Sequence, residues 1–253
     1  MNSGAYREDT GLARRVEEAS LNAWPALSQL LIDGWVVRFS RGFTKRANSI
    51  TPLYPETQPL LDKIRSCENL YARENLRTIF RLTNVQSCDA LDAALAGRGY
   101  TRLDPTLVLI RPSDTVEEPS RREFVELSPG RWLDHYAALS NLPAEARQIH
   151  ELMLKGIHFE CLHNVIVDRD HTLACGLGVL EQDLLGLFDI VTHPEQRRRG
   201  VATELIGHMC EWATHRGARY AYLQVEEGNL AGRALYQKLG FQHLYNYWYR
   251  ISP

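Results

Sequence analysis

Cysteine pairs, long apolar runs and a strong excess of one charge are all missing from this 253-residue sequence. Its five cysteines include no Cys-x-x-Cys pair, which favours a reducing compartment and thiols that pack as small apolar groups. No apolar run approaches the roughly eighteen residues that cross a bilayer, and the first residues lack the apolar core of a signal peptide. We therefore expect a cytoplasmic protein that does not act at a membrane.

Motifs that would identify several enzyme classes are also missing. Cys161-Leu162-His163 is a close Cys/His pair, and in the absence of any Cys-x-x-Cys pair we expect no metal site. There is no G-x-x-x-x-G-K-S/T loop and no G-x-S-x-G turn, which removes P-loop enzymes and the common serine hydrolases as leading hypotheses. The net charge of −2 argues against a protein that coats nucleic acid or binds a membrane surface through basic residues.

Apolar residues make up 44% of the chain, enough for a sizeable core, and their spacing predicts a series of helices and strands. Residues 12–31 are predicted to be helical at both ends, with a break at Trp24-Pro25, and residues 34–39 are predicted to form a strand. The polar, proline-bounded stretch from Arg111 to Arg122 predicts a linker. We therefore predict one domain over residues 1–115, a linker over residues 116–122 and a second domain over residues 123–253.

The clearest local signal lies between Asp183 and Thr203. The apolar run Leu184–Val191 predicts a buried central strand, and the turn His193-Pro194 leads through Arg197-Arg198-Arg199-Gly200 into a long helical pattern. A helix N-terminus carries partial positive charge and favours acidic neighbours, so three arginines there conflict with the usual preference. The conflict predicts an anion held by main-chain N–H groups, with the glycine allowing close approach. A solvated charged surface is the alternative.

The two halves of the chain share a weak repeat. Leu95 to Tyr100, followed by the predicted strand Leu107 to Ile110, matches Tyr236 to Phe241 followed by Tyr247 to Ile251. In both places a helix ends at a glycine and an aromatic residue, and the order of the preceding elements agrees. The repeat indicates two copies of one structural unit.

Residues 183–241 resemble the GNAT superfamily of acyl-CoA-dependent N-acyltransferases in three ordered pieces. These are Ile190-Val191-Thr192-His193-Pro194 at the strand end, Arg197-x-x-Gly200-x-Ala202 as the family's Q/R-x-x-G-x-G/A loop, and Asn229 with Tyr236 and Leu239-Gly240-Phe241 in the later helix. The whole chain is similar to tandem-GNAT proteins with a degenerate N-terminal half. The resemblance implies an α+β fold of two GNAT-like domains, each with a mixed, mostly antiparallel sheet flanked by helices, and acetyl-CoA or another acyl-CoA as co-substrate.

The resemblance also implies roles for single residues. The backbone of Ile190, Val191 and Thr192 would bind the pantetheine arm and polarise the thioester carbonyl, and Asn229 would contact the same arm. Tyr236 would be the general acid that faces the departing sulfur, or would hydrogen-bond it as the thiolate. The residues expected at the pyrophosphate are Arg197, Arg198, Arg199, Gly200, Val201, Ala202 and Thr203.

The identity of the general base is open. Gln224 stands where related N-terminal acetyltransferases carry a glutamate, and a neutral amide cannot accept the proton. Asp189 and Glu226 are nearby carboxylates that could act through a water molecule. The N-terminal half has no arginine–glycine loop before its helix at Leu60, so we expect that it has lost the cofactor site.

The implied reaction is direct attack of an amine on the thioester in a ternary complex, without a covalent enzyme intermediate. We expect an N-acetyltransferase whose acceptor is a small-molecule amine or another exposed amine, and Trp35, Arg38, Arg46 and Asn48 are candidates to bind that acceptor. Two alternatives stay open: a non-catalytic acyl-CoA-binding regulatory module, and an acetyltransferase of protein N-termini or lysines. We expect a monomer or homodimer with no nucleic-acid partner.

Overall fold

The structure, a computed structural model, describes residues 9–114, 122–169 and 171–253. Within these ranges one mixed sheet of eleven strands carries helices on both faces. The N-terminal half contains α1 (Thr10–Ala23), β1 (Ser28–Ile32), β2 (Trp35–Phe39), β3 (Ile50–Pro52), α2 (Leu60–Arg73), β4 (Ile79–Thr83), α3 (Asp89–Gly97) and β5 (Thr101–Pro112). The C-terminal half contains β6 (Glu123–Glu126), α4 (Pro129–Ser140), α5 (Ala144–Lys155), β7 (Glu160–Asp168), β8 (His171–Glu181), β9 (Leu184–Thr192), α6 (Val201–Thr214), β10 (Tyr220–Glu226), α7 (Leu230–Lys238) and β11 (Gln242–Ile251). Short 3-10 turns lie at Lys45–Ala47 and Pro194–Gln196.

The prediction of helix at both ends of residues 12–31 is wrong at the second end. Helix α1 ends before Trp24, and the residues after it form the edge strand β1, which pairs antiparallel with β2. The two strands are joined by Asp33 and Gly34, with φ angles of 41° and 84°. An Asp-Gly pair with two positive φ angles is a favoured two-residue hairpin turn. Here this turn prevails over the apolar spacing, which predicts a helix.

The two halves of the sheet exchange their last strands. The strand order is β1-β2-β3-β4-β11-β5-β10-β9-β8-β7-β6, so β11 lies against β4 and β5 lies against β10. Among the described residues only β3–β4 and β9–β10 pair in parallel, and α2 and α6 are the crossover helices of these two pairs. The halves therefore follow the same order of strands and helices, in agreement with the repeat in the sequence.

Apolar clusters cover both faces of the sheet. On one face α1, α4 and α5 pack through residues such as Val16, Trp132 and Met153. On the other face α6 packs on the C-terminal strands through Leu205, and α2 and α3 pack on the N-terminal strands through residues such as Ile64. The strand ends between α1, α4 and α5 on one side and α6 on the other are where the candidate site lies.

A buried ion pair fixes α1 against the exchanged strands. Glu17 in α1 pairs with Arg81 in β4, and its Oε2 accepts a hydrogen bond from the hydroxyl of Tyr245 in β11 at 2.5 Å. The guanidinium carbon of Arg81 lies 3.8 Å from the ring centre of Tyr247. Removal of charged groups from water is offset only when partners satisfy them, and here the two terminal nitrogens of Arg81 donate to the carboxylate of Glu17. The network holds Tyr247 at the edge of the site.

The predicted α+β class with a mixed, mostly antiparallel sheet is confirmed, and the strands of both halves form one continuous sheet. Residues 116–121 of the predicted linker lie outside the described residues, and the domain boundaries stay a prediction. No helix in the described ranges is both long enough and apolar enough to cross a bilayer.

Candidate functional site

Strands β9 and β10 separate part of the way along their length. Their parallel pairing ends at Leu187 and Leu223, whereas β9 continues to Thr192. Beyond Leu187 the strand pairs only with β8, on its other side. The main-chain N–H and C=O groups of β9 that point away from β8 therefore border a wedge-shaped gap between two central strands.

A β-bulge reorients β9 where this gap opens. Two of its residues, Asp189 and Ile190, lie opposite the single residue Gly176 of β8. Asp189 has a φ angle of 50°, which is uncommon for a residue other than glycine. A Cβ atom at position 176 would lie 2.6 Å from Cδ1 of Ile190, so glycine on the neighbouring strand leaves room for the side chain of Ile190. The predicted residues Ile190, Val191 and Thr192 form the part of β9 that borders the gap.

The N-terminus of α6 offers uncapped donors near the end of β9. Gly200 is the N-cap with a φ angle of 80°, and no side chain of the described residues caps the helix. The first main-chain bond of the helix runs from the N–H of Glu204 to the carbonyl of Gly200, at 3.0 Å. In the described part of the chain, the N–H groups of Val201, Ala202 and Thr203 have no acceptor. Such a group of donors is suited to an anion.

The arginines Arg197, Arg198 and Arg199 are exposed beside these donors. Arg198 has a φ angle of 60°, and alternation of left-handed residues turns neighbouring N–H groups toward one concave side of the loop. Arg122 pairs with Glu204 at 3.0 Å and so offsets the acidic side chain in the first turn of α6. Sequence reasoning missed Arg122, because this contact joins residues that are 82 positions apart.

Helix α7 carries the two residues expected near the cofactor arm. Asn229 is the N-cap, and its Oδ1 accepts the N–H of Gly232 at 2.9 Å, so helix capping also accounts for an asparagine here. Tyr236 is half-buried and meets Phe241 edge-on, with ring centres 5.9 Å apart. Burial raises the pKa of Tyr236, which keeps the phenol protonated and able to donate.

Asp189 lies against a histidine that the sequence analysis did not single out. Nε2 of His150, a fully buried residue of α5, is 3.2 Å from Oδ2 of Asp189. The rings of Trp24, Phe43 and Tyr136 surround the imidazole at centre-to-centre distances of 5.0, 5.7 and 5.4 Å. Burial and the charge of Asp189 raise the pKa of Tyr136. These groups come from α4, α5, β9, the residue that follows α1 and a loop, so no local spacing could have indicated the cluster.

Two other residues considered for proton transfer lie on β10. Gln224 is the first residue beyond the last β9–β10 pair, and its Oε1 accepts a hydrogen bond from the Tyr247 hydroxyl at 3.1 Å. Its Nε2 is buried without an acceptor in the described part of the chain. Glu226 is exposed at the end of the strand. Asp189 is therefore the carboxylate that the fold surrounds with polar and aromatic groups.

Three of the four candidate acceptor residues have structural partners. Trp35 is buried in the N-terminal core, and Arg38 is buried with its guanidinium on main-chain carbonyls of α1, of Trp24 and of Arg46. Asn48 is buried and holds the loop before it through four hydrogen bonds. The guanidinium of Arg46 is instead centred 5.6 Å from the ring of Trp24, close to the aromatic cluster around His150.

Comparison with known proteins agrees with this geometry. A family model described as "Probable histone acetyltransferase Rv0428c C-terminal" matches residues 10–250. The chain is 28% identical over 247 residues to the "Uncharacterized N-acetyltransferase YobR" of Bacillus subtilis, with 94% of this chain and 98% of that protein covered. A shorter match, 36% identical over 55 residues, covers 22% of this chain and 37% of the ribosomal protein bS18-alanine N-acetyltransferase of Escherichia coli.

Solved structures share the fold. A GCN5-related N-acetyltransferase from Kribbella flavida has a TM-score of 0.72 and 13% sequence identity, with 96% of each chain covered. A tandem GNAT protein from the clavulanic acid biosynthesis pathway has a TM-score of 0.57 and 17% identity, with 73% of this chain and 66% of that chain covered. The predicted GNAT resemblance, with its tandem arrangement, is confirmed.

Proposed function

The chain belongs to the acetyltransferase family whose model matches residues 10–250, and we propose that it transfers an acetyl group from acetyl-CoA to the amine of a small molecule. The observation that carries the proposal is the separation of β9 from β10 beside the uncapped N-terminus of α6. The gap suits an extended arm with polar groups, and the helix N-terminus suits the pyrophosphate at the far end of that arm. The exposed arginines of the loop supply the complementary charge.

The residues of the gap suit direct transfer. Acetyl-CoA supplies the acetyl thioester. Main-chain N–H groups of Ile190 to Thr192 that border the gap stabilise negative charge on the carbonyl oxygen. The new bond joins the amine nitrogen to the acetyl carbon, and the carbon–sulfur bond breaks. Asp189 takes a proton from the nitrogen, and Tyr236 gives a proton to the sulfur.

His150 is a positioning residue in this scheme. It is fully buried and its Nε2 lies 3.2 Å from Oδ2 of Asp189, whose side chain keeps 12% exposure. The amine can therefore reach Asp189 but not the imidazole behind it. The imidazole holds the carboxylate in one orientation, as the partners of a catalytic base commonly do.

The shape of the acceptor side favours a small molecule over a protein. Trp24, Phe43, Tyr136 and His150 pack together next to Asp189 and enclose it on the side of α4 and α5. A protein lysine or N-terminus is the second candidate, because the matching family model is described as a histone acetyltransferase. A protein acceptor would need an open groove beside Asp189, whereas a site enclosed by aromatic side chains suits a small ligand that the site can surround.

Release of free CoA thiol from acetyl-CoA, across a panel of amines, amino acids and lysine peptides, tests the proposal. We expect small amines to accelerate thiol release and Asp189→Asn to lower kcat/KM for the amine about 100-fold. Asp134→Asn, which removes an exposed ion pair with Arg147, is the matched control and is expected to be near wild type. Acceleration by peptides alone would assign the protein-acceptor function. Tight CoA binding with no acceleration by any member of the panel would instead favour a non-catalytic module.

A further inference from the structure

We propose that the acceptor is an amino acid with a free carboxylate, whose amine lies at Asp189 and whose carboxylate is bound by Arg46 and Gln224. The proposal rests on the proposed function, because the amine at Asp189 is the one acetylated. The ammonium of the bound amino acid first loses one proton to solvent. The neutral nitrogen then forms the bond to the acetyl carbon and loses a second proton to Asp189, while the carbon–sulfur bond breaks and Tyr236 protonates the departing thiolate. Asp189 returns its proton to solvent, and Tyr236 regains one from solvent. The carboxylate takes no part in the chemistry and serves recognition alone.

Arg46 provides the cationic end. It belongs to the 3-10 turn Lys45–Ala47, and its Nε is buried without an acceptor in the described part of the chain. Its guanidinium forms no ion pair with a carboxylate of the described residues, although the charge of Asp189 acts on it from across the cluster. A buried guanidinium is costly unless an anion satisfies it, and its planar donor pattern matches a carboxylate. A ligand carboxylate meets this need.

Gln224 provides a second donor. Its Oε1 is occupied by the hydroxyl of Tyr247 at 3.1 Å, which leaves Nε2 as the free end of the amide, and this nitrogen is buried without an acceptor in the described ranges. The ring centre of Tyr247 lies 5.6 Å from that of Tyr249, and Nζ of Lys45, the residue before Arg46, lies 5.8 Å from the ring centre of Tyr249, so the turn that carries Arg46 lies near the tyrosine that contacts Gln224. A buried donor without a protein acceptor is costly, and a ligand oxygen would satisfy it.

Asp189 provides the anionic end. Its Oδ2 is buried without a hydrogen-bond partner among the described residues, where His150 is its charge partner, and the carboxylate also interacts with the hydroxyl of Tyr136. The bulge presents this carboxylate at the opening of the β9–β10 gap, where the acetyl group is to be transferred. An amine that binds here is therefore beside the thioester.

A single aromatic ring connects the two ends. The ring of Trp24 is 5.6 Å from the guanidinium carbon of Arg46 and 5.0 Å from the ring centre of His150, which contacts Asp189. The opposite charges thus lie at the two ends of one continuous group of aromatic side chains, and in this proposal one small zwitterion bridges them. A simple alkylamine has no carboxylate and would leave the donors of Arg46 and Gln224 unsatisfied. A site rejects an analogue that lacks a polar group because its own buried polar groups then have no partner.

Matched acceptors separate the carboxylate from the amine. Thiol release is measured with the wild-type protein, acetyl-CoA and two series: phenylalanine, phenylalaninamide and 2-phenylethylamine; and leucine, leucinamide and 3-methylbutylamine. We expect the free acid to have a kcat/KM about 30-fold above that of the decarboxylated amine in at least one series, as the loss of a charged hydrogen bond predicts. Equal or faster acetylation of the amides and amines would overturn this proposal and leave the proposed function intact. Thiol release with other amines, but with neither series, would also overturn it.

Arg46→Gln tests the assignment of the carboxylate, with Lys45→Gln as control. Lys45 is the preceding residue, carries the same charge and pairs with Asp104 at 2.6 Å. We expect Arg46→Gln to reduce the preference for the acid over the decarboxylated amine at least tenfold, Arg46→Lys to keep part of it, and Lys45→Gln to keep it in full. Because the measured quantity is a ratio of two substrates, a general loss of folded protein does not change it. An unchanged ratio in Arg46→Gln would exclude Arg46 as the carboxylate-binding residue, and loss of the ratio in Lys45→Gln would do the same.

Discussion

Leu187 in β9 and Leu223 in β10 are the last paired residues of two neighbouring parallel strands, and five residues of β9 continue beyond them. A central strand that ends its pairing inside a sheet exposes main-chain donors and acceptors that folding normally satisfies. The bulge at Asp189 and the start of α6 lie on the same side of this separation. The free-energy cost of leaving these main-chain N–H and C=O groups unpaired is offset if the gap binds an extended ligand that has polar groups of its own.

Gly200→Ala is expected to raise KM for acetyl-CoA about tenfold, because a side chain at a φ of 80° strains the loop by about 1 kcal/mol and moves the donors of α6. A Cβ atom there has room, since its nearest neighbour would be Oε1 of Glu204 at 3.7 Å, so strain is the main effect. Gly217→Ala is the control, at a φ of 93° with no neighbour near its Cβ. Steady-state kinetics and thermal melting should show similar losses of stability in the two variants and a change in KM only at position 200. Equal changes in KM would contradict the proposal that the N-terminus of α6 binds the pyrophosphate.

Tyr236→Phe is expected to lower kcat about 100-fold with little change in KM for acetyl-CoA, because the phenol donates a proton or hydrogen bond to the sulfur only as it leaves. The packing against Phe241 is retained by phenylalanine. Tyr54→Phe, which removes an exposed hydrogen bond to Glu18, is the matched control and should be near wild type. If Tyr236→Phe raises KM and leaves kcat unchanged, the residue binds the donor without assisting the departure of the thiol.

His163 is expected to make the protein sensitive to acid. Its side chain is 7% exposed, and burial lowers its pKa to about 4 from the usual 6.5. The unfolded chain therefore takes up a proton near pH 6.5 that the folded chain refuses until about pH 4, so stability is complete above pH 6.5 and falls as the pH drops. The loss reaches about 3 kcal/mol. His163→Gln should flatten the decline in urea midpoint between pH 7 and pH 4.5, whereas His158→Gln, at an exposed position, should not. Parallel declines in all three proteins would rule out His163 as the cause.

A fragment of residues 122–253 is expected to aggregate or to melt well below the full chain. Strand β10 pairs with β5 over seven residues, from Tyr220 with Pro112 to Glu226 with Thr106, and the fragment lacks β5. It would expose the edge of a long apolar strand, which is a site of association between chains. Size-exclusion chromatography and thermal melting of the fragment, alone and co-expressed with residues 1–121, measure the effect. A monomeric fragment with the melting temperature of the full chain would show that β5 is dispensable.

Local features of the sequence were enough to predict the proposed donor side of the site. The apolar run of β9, the glycine that starts α6 and the asparagine that starts α7 depend on conformations within a few residues of each other, and such preferences survive in any fold. The hairpin at Asp33-Gly34 is also a local signal. It conflicts with the apolar spacing of residues 12–31, which predicts a helix, and the turn prevails in the structure.

The proposed acceptor side depends on the tertiary structure. Asp189, His150, Arg46 and Gln224 come from β9, α5, a 3-10 turn and β10, and the longest of these separations exceeds half the chain. The guanidinium of Arg38 donates to three main-chain carbonyls, whereas that of Arg46 donates to none among the described residues, and the sequence does not show this difference. The sequence by itself determined the loop and the helix start at Gly200, because the φ angles of glycine and the positions of helix ends depend on short segments. The proposed acceptor residues come together only in the tertiary structure, through the exchange of β5 and β11 and the packing of α1, α4 and α5. Such contacts depend on where distant segments meet.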